Sequence, residues 1–219
     1  MDPDSDTGAL SEGPPEADAQ RASAHALAAE LRALVASVLD RQLSASEAHR
    51  LVDELEALRT GIEGPRRARY YELELTSSRA HSFVDYSPVS GRANPFGVPM
   101  TIERAVCPDG EPGVRARVRF GHVHEGPPHG VHGGIVAAVF DDLLGHAQHM
   151  HGAQALTATL TVRYRSVTPI DEDLELYARV ERSKGRRWIG KAWCSAGETV
   201  TAEAEALFVG VDIGGMVRS

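Results

Sequence analysis

Cysteine is scarce in this chain: only Cys107 and Cys194 occur in 219 residues. One disulfide at most is possible, and their spacing matches no zinc or redox motif, so two buried free thiols are expected. No run of eighteen apolar residues is present, and the N-terminus has neither a basic start nor the apolar stretch of a signal peptide. Both absences lead us to expect a soluble, cytoplasmic protein without membrane insertion. Basic charge is also in deficit, with 23 Lys and Arg against 31 Asp and Glu and a net charge of −8, which argues against nucleic-acid binding. Much of that excess is local. Asp2, Asp4, Asp6, Glu12, Glu16 and Asp18 all precede the first basic residue, Arg21. The rest of the chain is therefore near neutral, with room for basic patches. No internal repeat is visible.

The 42% hydrophobic content is enough for one ordinary domain plus an accessory segment. Residues 1–20, acidic and rich in Pro, Gly and Ser, read as a disordered tail. Over 21–61 a helical hairpin is expected. Leu27, Leu31, Leu34, Val35, Val38 and Leu39 recur at helical spacing, and Ser44-Ala45-Ser46-Glu47 offers a capping box for a second helix carrying Leu51, Val52, Leu55 and Leu58. Such a narrow apolar stripe is expected to pack on its own domain, with a dimer contact or partner surface as the alternative. Residues 62–98 read as a connector, with a β-like Tyr70–Leu75 and then turns rich in Ser, Pro, Gly and Asn; its aromatic residues suggest that it docks on the domain.

The main domain is expected over 99–212, followed by a short tail at 213–219. Met100–Val106 and Val114–Phe120 alternate like strands around the turn Pro108-Asp109-Gly110. A His- and Pro-rich loop leads into a helix over about 133–150, and four more strands follow, at Leu156–Arg165, Leu174–Glu181, Arg187–Ser195 and Thr201–Val211. This order predicts an α+β domain with a largely antiparallel sheet.

The helix carries the most suggestive chemistry. His132-Gly133-Gly134 enters it, and glycines there let a ligand approach the free N–H groups and positive dipole of the first turn. A wheel at 100° per residue gathers Ile135, Val136, Val139, Phe140, Leu143, Leu144 and Ala147 on one face for the sheet. Asp141 points nearly opposite, amid Gly134, Ala137, Ala138, Gly145 and Gln148; a slot of small residues fits a ligand, although a solvated carboxylate would satisfy the same pattern. Asp142 falls at the edge of the apolar face. In the next strand, alternation sends Leu156, Ala158, Leu160 and Val162 toward the helix and leaves Thr157, Thr159, Thr161, Arg163 and Arg165 as a polar lane on the other face. At about 3.3 Å per residue, Thr157 and Arg163 lie roughly 20 Å apart.

The His132-Gly133-Gly134 and Asp141 pattern resembles the signature of hotdog-fold acyl-CoA thioesterases, in the PaaI-like and human thioesterase-superfamily-member branch. Leu156–Arg165 resembles that family's strand after the helix, and Gly185-Arg186-Arg187 its later basic turn. The similarity covers roughly residues 99–211. It implies a long helix wrapped by a curved sheet, here preceded by the helical hairpin, and a homodimer or homotetramer with active sites between subunits. By the same resemblance Asp141 is the catalytic carboxylate and Thr157 its helper. His132, Gly133 and Gly134 polarise the thioester carbonyl, and Arg163, Arg165, Arg186 and Arg187 contact the nucleotide and phosphates of coenzyme A.

The resemblance thus implies an acyl-CoA thioester hydrolase that needs no separate cofactor, coenzyme A being part of the substrate. In this chemistry the Gly133 or Gly134 N–H holds the carbonyl oxygen while Asp141 activates water or attacks directly, and Thr157 orients the water. The alternative is a non-catalytic acyl-CoA-binding or regulatory hotdog protein; a hydratase or dehydratase would use a catalytic His in another constellation. A metal reading of His122, His124, His129, His132, His146, His149 and His151 is disfavoured, because they lack Cys or acidic partners in zinc spacing. No metal is expected.

Overall fold

The computed structural model describes residues 15–68, 84–150 and 155–211. Two helices come first, α1 (Pro15–Leu39) and α2 (Ala45–Thr60). Strands β1 (Thr101–Val106) and β2 (Pro112–Arg119) precede a 3₁₀ turn at His122–His124 and the central helix α3 (Gly133–His149). Then come β3 (Ala155–Tyr164), β4 (Asp173–Arg182), β5 (Arg187–Ala196) and β6 (Thr199–Gly210). All six strands form one antiparallel sheet in the order β1-β2-β4-β5-β6-β3. Helix α3 packs against β2, β3, β4, β5 and β6 of this sheet. This is the hotdog arrangement the resemblance implied.

The helix seats its apolar face on the sheet as the wheel predicted. Val136, Val139, Phe140, Leu143 and Leu144 are buried against Phe120, Leu174, Leu176, Ala178, Ala204 and Phe208. The approach is close enough that a Cβ on Gly190 of β5 would come within 2.7 Å of the Leu144 Cδ2 and 2.9 Å of Phe208. A side chain there would force the Leu144 and Phe208 side chains to shift. Both cysteines are free and buried, and burial pushes the Cys107 thiol up to about 11.

Two N-terminal expectations change. Helix α1 begins at Pro15, inside the segment read as a disordered tail; Pro suits the first helical turn, where an N–H has no acceptor anyway. Residues 1–14 lie outside the described residues, as do the β-like Tyr70–Leu75 and the tail at 213–219. Ser44 caps α2, with its hydroxyl accepting from the Glu47 N–H and the Glu47 carboxylate accepting from the Ser44 N–H, the box the sequence foretold. The apolar stripes, however, do not pack on the domain. Leu27, Leu31, Val35, Val38, Leu55 and Leu58 are exposed, and α2 has no buried residue. What docks α1 is its polar stripe. Arg21 and His25 pair with buried Asp85 at 2.6 and 3.0 Å, and Arg32 donates to the Asn94 carbonyl at 2.8 Å. By length and composition, residues Ala17–Leu39 of α1 would also suffice to cross a membrane.

Residues 84–98 of the connector lie against α3 and α1. Main chain, serines and Asp85 hold it: Ser87, Ser90, Ala93 and Val98 are buried, and the Val98 N–H donates to the Val89 carbonyl at 2.6 Å. Tyr70, Tyr71 and Phe83 lie outside the described residues, and the connector's two described aromatic residues divide. Tyr86 is half-buried beneath the Arg67 guanidinium at 3.4 Å, but Phe96 is 85% exposed.

Candidate functional site

Asp141 lies on the exposed side of α3, and the Thr157 hydroxyl donates to its Oδ1 at 2.8 Å. Alternation along β3 had put Thr157 on the opposite face of the sheet. A bulge reverses it. Thr157 pairs with Phe208 and Thr159 with Leu207, so Ala158 is the extra residue and the period-two pattern slips by one. Thr157 shares the helix-facing side with fully buried Phe208, while Thr159, Thr161 and Arg163 face away.

The small-residue slot is real along most of its length: Gly134 and Ala138 are exposed beside Asp141, and Ala137 and Gly145 are half-buried. Gln148 does not belong to it. It is turned inward and is 4% exposed.

At the helix entrance His132 is the N-cap, and its Nδ1 accepts the Gly134 N–H at 3.1 Å. An accepting Nδ1 places the ring proton of neutral His132 on Nε2, where it can donate. The Gly134 N–H is thereby engaged, whereas the Gly133 N–H opens the helix, a position with no intrahelical acceptor. Tyr164, which the sequence reading passed over, closes this corner: its hydroxyl donates to the Gly133 carbonyl at 2.7 Å, and a Cβ on Gly133 would come within 3.1 Å of its ring.

The four arginines divide into two pairs. Arg163 donates to Glu205 at 3.0 Å and Arg165 to Glu203 at 2.6 Å, on the sheet face turned from α3 and toward the Tyr164 end. The lane expected to run from Thr157 to Arg163 is therefore broken, and two of its cations are matched by β6 carboxylates. Arg186 and Arg187 are exposed in the β4–β5 turn at the Thr157 end. Arg187 pairs with Val209, which pairs with Leu156; two strand spacings put the turn about 10 Å from the start of β3.

The sequence model of the thioesterase superfamily matches residues 129–189, from the His-rich loop into β5. A crystal structure of a thioesterase superfamily protein superposes with a TM-score of 0.70 at 26% identity, covering 85% of this chain and 94% of its own. Over residues 129–189 the chain is therefore similar to the thioesterase superfamily, and its fold is the hotdog fold. Since residues 99–219 make up just over half of the chain, a match over 85% reaches well into the N-terminal half. Zebra fish thioesterase superfamily member 2 is similar at 19% identity and TM-score 0.43, over 50% of this chain and 81% of its own. A hypothetical thioesterase from Streptococcus pneumoniae, solved with coenzyme A, is similar at 12% and 0.45, over 51% and 89%.

On the other flank of α3 from Asp141, Asp142 is half-buried, with its Oδ2 shielded from solvent. Its Oδ1 accepts from Ser87 at 2.8 Å, and His146 Nε2 lies 3.5 Å from Oδ2, close enough for charge attraction although Oδ2 has no hydrogen-bond partner among the described residues. Burial works to raise the Asp142 carboxyl, but His146, Ser90 and Ser87 outweigh it and hold it below the ordinary range. Burial lowers His124, which stacks edge-on against Phe120. Asp40 at 2.9 Å raises His122. Among the described residues no three of His, Cys, Asp and Glu form a group that could hold a metal.

Proposed function

We propose that this protein hydrolyses an acyl-CoA thioester to a free acid and coenzyme A, with Asp141 as general base or nucleophile. The observation that carries the reading is the exposed Asp141 carboxylate, oriented by the Thr157 hydroxyl beside a surface of Gly and Ala. As base, Asp141 takes a proton from water as the hydroxyl oxygen bonds to the carbonyl carbon; collapse breaks the C–S bond, and the thiolate leaves and is protonated. As nucleophile, it would form an anhydride that water opens. The chemistry needs no cofactor beyond the coenzyme A of the substrate.

Oxyanion stabilisation falls to the Gly133 N–H and the His132 Nε2–H, since His132 itself engages the Gly134 N–H. Gly133 and Asp141 stand eight residues apart on one helix, about 12 Å at 1.5 Å per residue, whereas reacting atoms must approach to about 3–3.5 Å. One helix thus does not supply both groups to one carbonyl. The position of β3 at the edge of the sheet among the described residues supports a homo-oligomer in which the donor of one subunit meets the carboxylate of the other. Arg186 and Arg187 carry the charge suited to coenzyme A phosphates; Arg163 and Arg165, already paired with Glu205 and Glu203, are secondary. A cytoplasmic site of action accords with the substrate.

Thiol release from a panel of aromatic, short and long acyl-CoAs tests the reading. Turnover of at least one class, lost in Asp141→Asn, is expected. A folded protein that binds acyl-CoA without releasing thiol would favour the regulatory alternative, which the engagement of the Gly134 N–H by His132 also suits.

A further inference from the structure

The apolar residues of α1 and α2 repeat with coiled-coil rather than plain helical spacing. In α1, Ala24, Leu27, Leu31, Leu34 and Val38 are spaced alternately by three and four residues, and Ala48, Leu51, Leu55, Leu58 and Ile62 do the same along α2 and its end. Among the described residues Ala24, Leu34 and Leu51 of these seams are half-buried and the rest are exposed. Leu27 is 64% exposed, Leu58 70% and Ile62 79%, and α2 makes no substantial contact with any other helix or strand among the described residues. Helix α1 is oriented by its polar stripe, with Arg21, His25 and Arg32 on the connector and its seam turned out. A folded chain that binds its polar helix face and exposes its apolar one reserves the latter for another surface.

We infer that the occupant is a second copy of this chain, whose α2 pairs in parallel with this one while the α1 seams extend the same contact. With Leu55 and Leu58 as the a and d positions, Glu54 falls at g and Arg59 at the following e. Within the chain Glu54 pairs with Arg50 and Arg59 with Glu56, all four exposed; in a parallel pair each Glu54 meets the partner's Arg59 instead, giving two symmetric ion pairs that flank the seam. A membrane fits less well, because residues 15–60 hold eight acidic against five basic side chains, which an anionic bilayer repels, and the polar stripe of α1 is engaged. The contact also lies close to the helix entrance. Asp40, at the end of α1, binds His122 of the loop that leads to His132, the end of α3 where the proposed reaction draws on two subunits. This helical contact is separate from the β3 edge and stands whether or not the protein hydrolyses thioesters.

Leu58→Cys in the full chain tests it, because the native Cys107 and Cys194 are buried and d positions of parallel helices meet within disulfide reach. Oxidation by diamide, which takes one hydrogen from each thiol and is itself reduced to the hydrazine, should convert this variant largely to a covalent dimer. Leu58→Glu should weaken self-association at least tenfold by sedimentation equilibrium, with circular dichroism unchanged. Glu54→Arg should also weaken it, and adding Arg59→Glu should restore it. An unchanged mass profile in Leu58→Glu together with no cross-link in Leu58→Cys would overturn the inference. So would binding to phosphatidylcholine vesicles that Leu58→Glu abolishes while self-association stays the same.

Discussion

Asp141 and Asp142 are neighbours in sequence with opposite environments. Asp141 is exposed beside Gly and Ala, with the Thr157 hydroxyl on its Oδ1. Asp142, about 100° further round the helix, is half-buried beneath the connector and held by Ser87 and His146. The first has the access a reacting group needs; the second fixes the helix that presents it. One turn of α3 thereby separates reactivity from support, and each carboxylate can be removed to see whether the division holds.

The largest effect is expected from Asp141→Asn. General acid–base contributions of about 10²–10⁴ in rate are typical, so kcat for acyl-CoA hydrolysis should fall at least a hundredfold while the melting temperature stays put. The reverse pattern should follow Asp142→Asn. Disrupting a hydrogen-bonded carboxylate with one buried oxygen costs about 1–3 kcal/mol, to be read by chemical denaturation, while turnover of the folded fraction persists. The pH dependence has a definite sign. A carboxyl held below its ordinary value stabilises the fold above the unfolded pKa of about 3.9 and loses that contribution as pH falls through the folded value. The stability gap between wild type and Asp142→Asn should therefore be full at neutral pH and close on acidification toward and below pH 4.

Thr157→Val keeps shape and removes the hydroxyl that orients Asp141. A hydrogen bond to a charged group contributes about 1.5–3 kcal/mol, so a loss of about tenfold or more in kcat is expected, with little change in KM. A smaller effect belongs to Arg186→Gln with Arg187→Gln. KM for acyl-CoA should rise several-fold and its salt dependence flatten, while Arg163→Gln should change KM less because Glu205 already pairs with Arg163. Equal effects from the two ends of the sheet would refute the split among the arginines.

Much of this arrangement was legible in the chain. The apolar stripe from Ile135 to Ala147 placed α3 on the sheet, the Ser44–Glu47 box began α2, and the offset between Asp141 and Asp142 followed from helix geometry. What escaped depended on contacts between distant segments. The bulge at Ala158 leaves no mark on composition, yet it turns Thr157 toward Asp141. Glu203 and Glu205 neutralise Arg163 and Arg165 only because β6 lies beside β3. Gln148 looked like part of the outer surface until the fold turned it inward, and Tyr164 became relevant only where β3 crosses the helix entrance. In α1 the periodicity correctly gave a helix, but the polar side chains docked it and the apolar ones stayed outside.

The most direct measurement is single-turnover thiol release from the best acyl-CoA substrate by wild type, Asp141→Asn and Asp142→Asn, all held well below their melting temperatures. The account predicts rapid release by wild type and Asp142→Asn and at least a hundredfold slower release by Asp141→Asn. Release at wild-type rate by Asp141→Asn, or its loss only in folded Asp142→Asn, would contradict it.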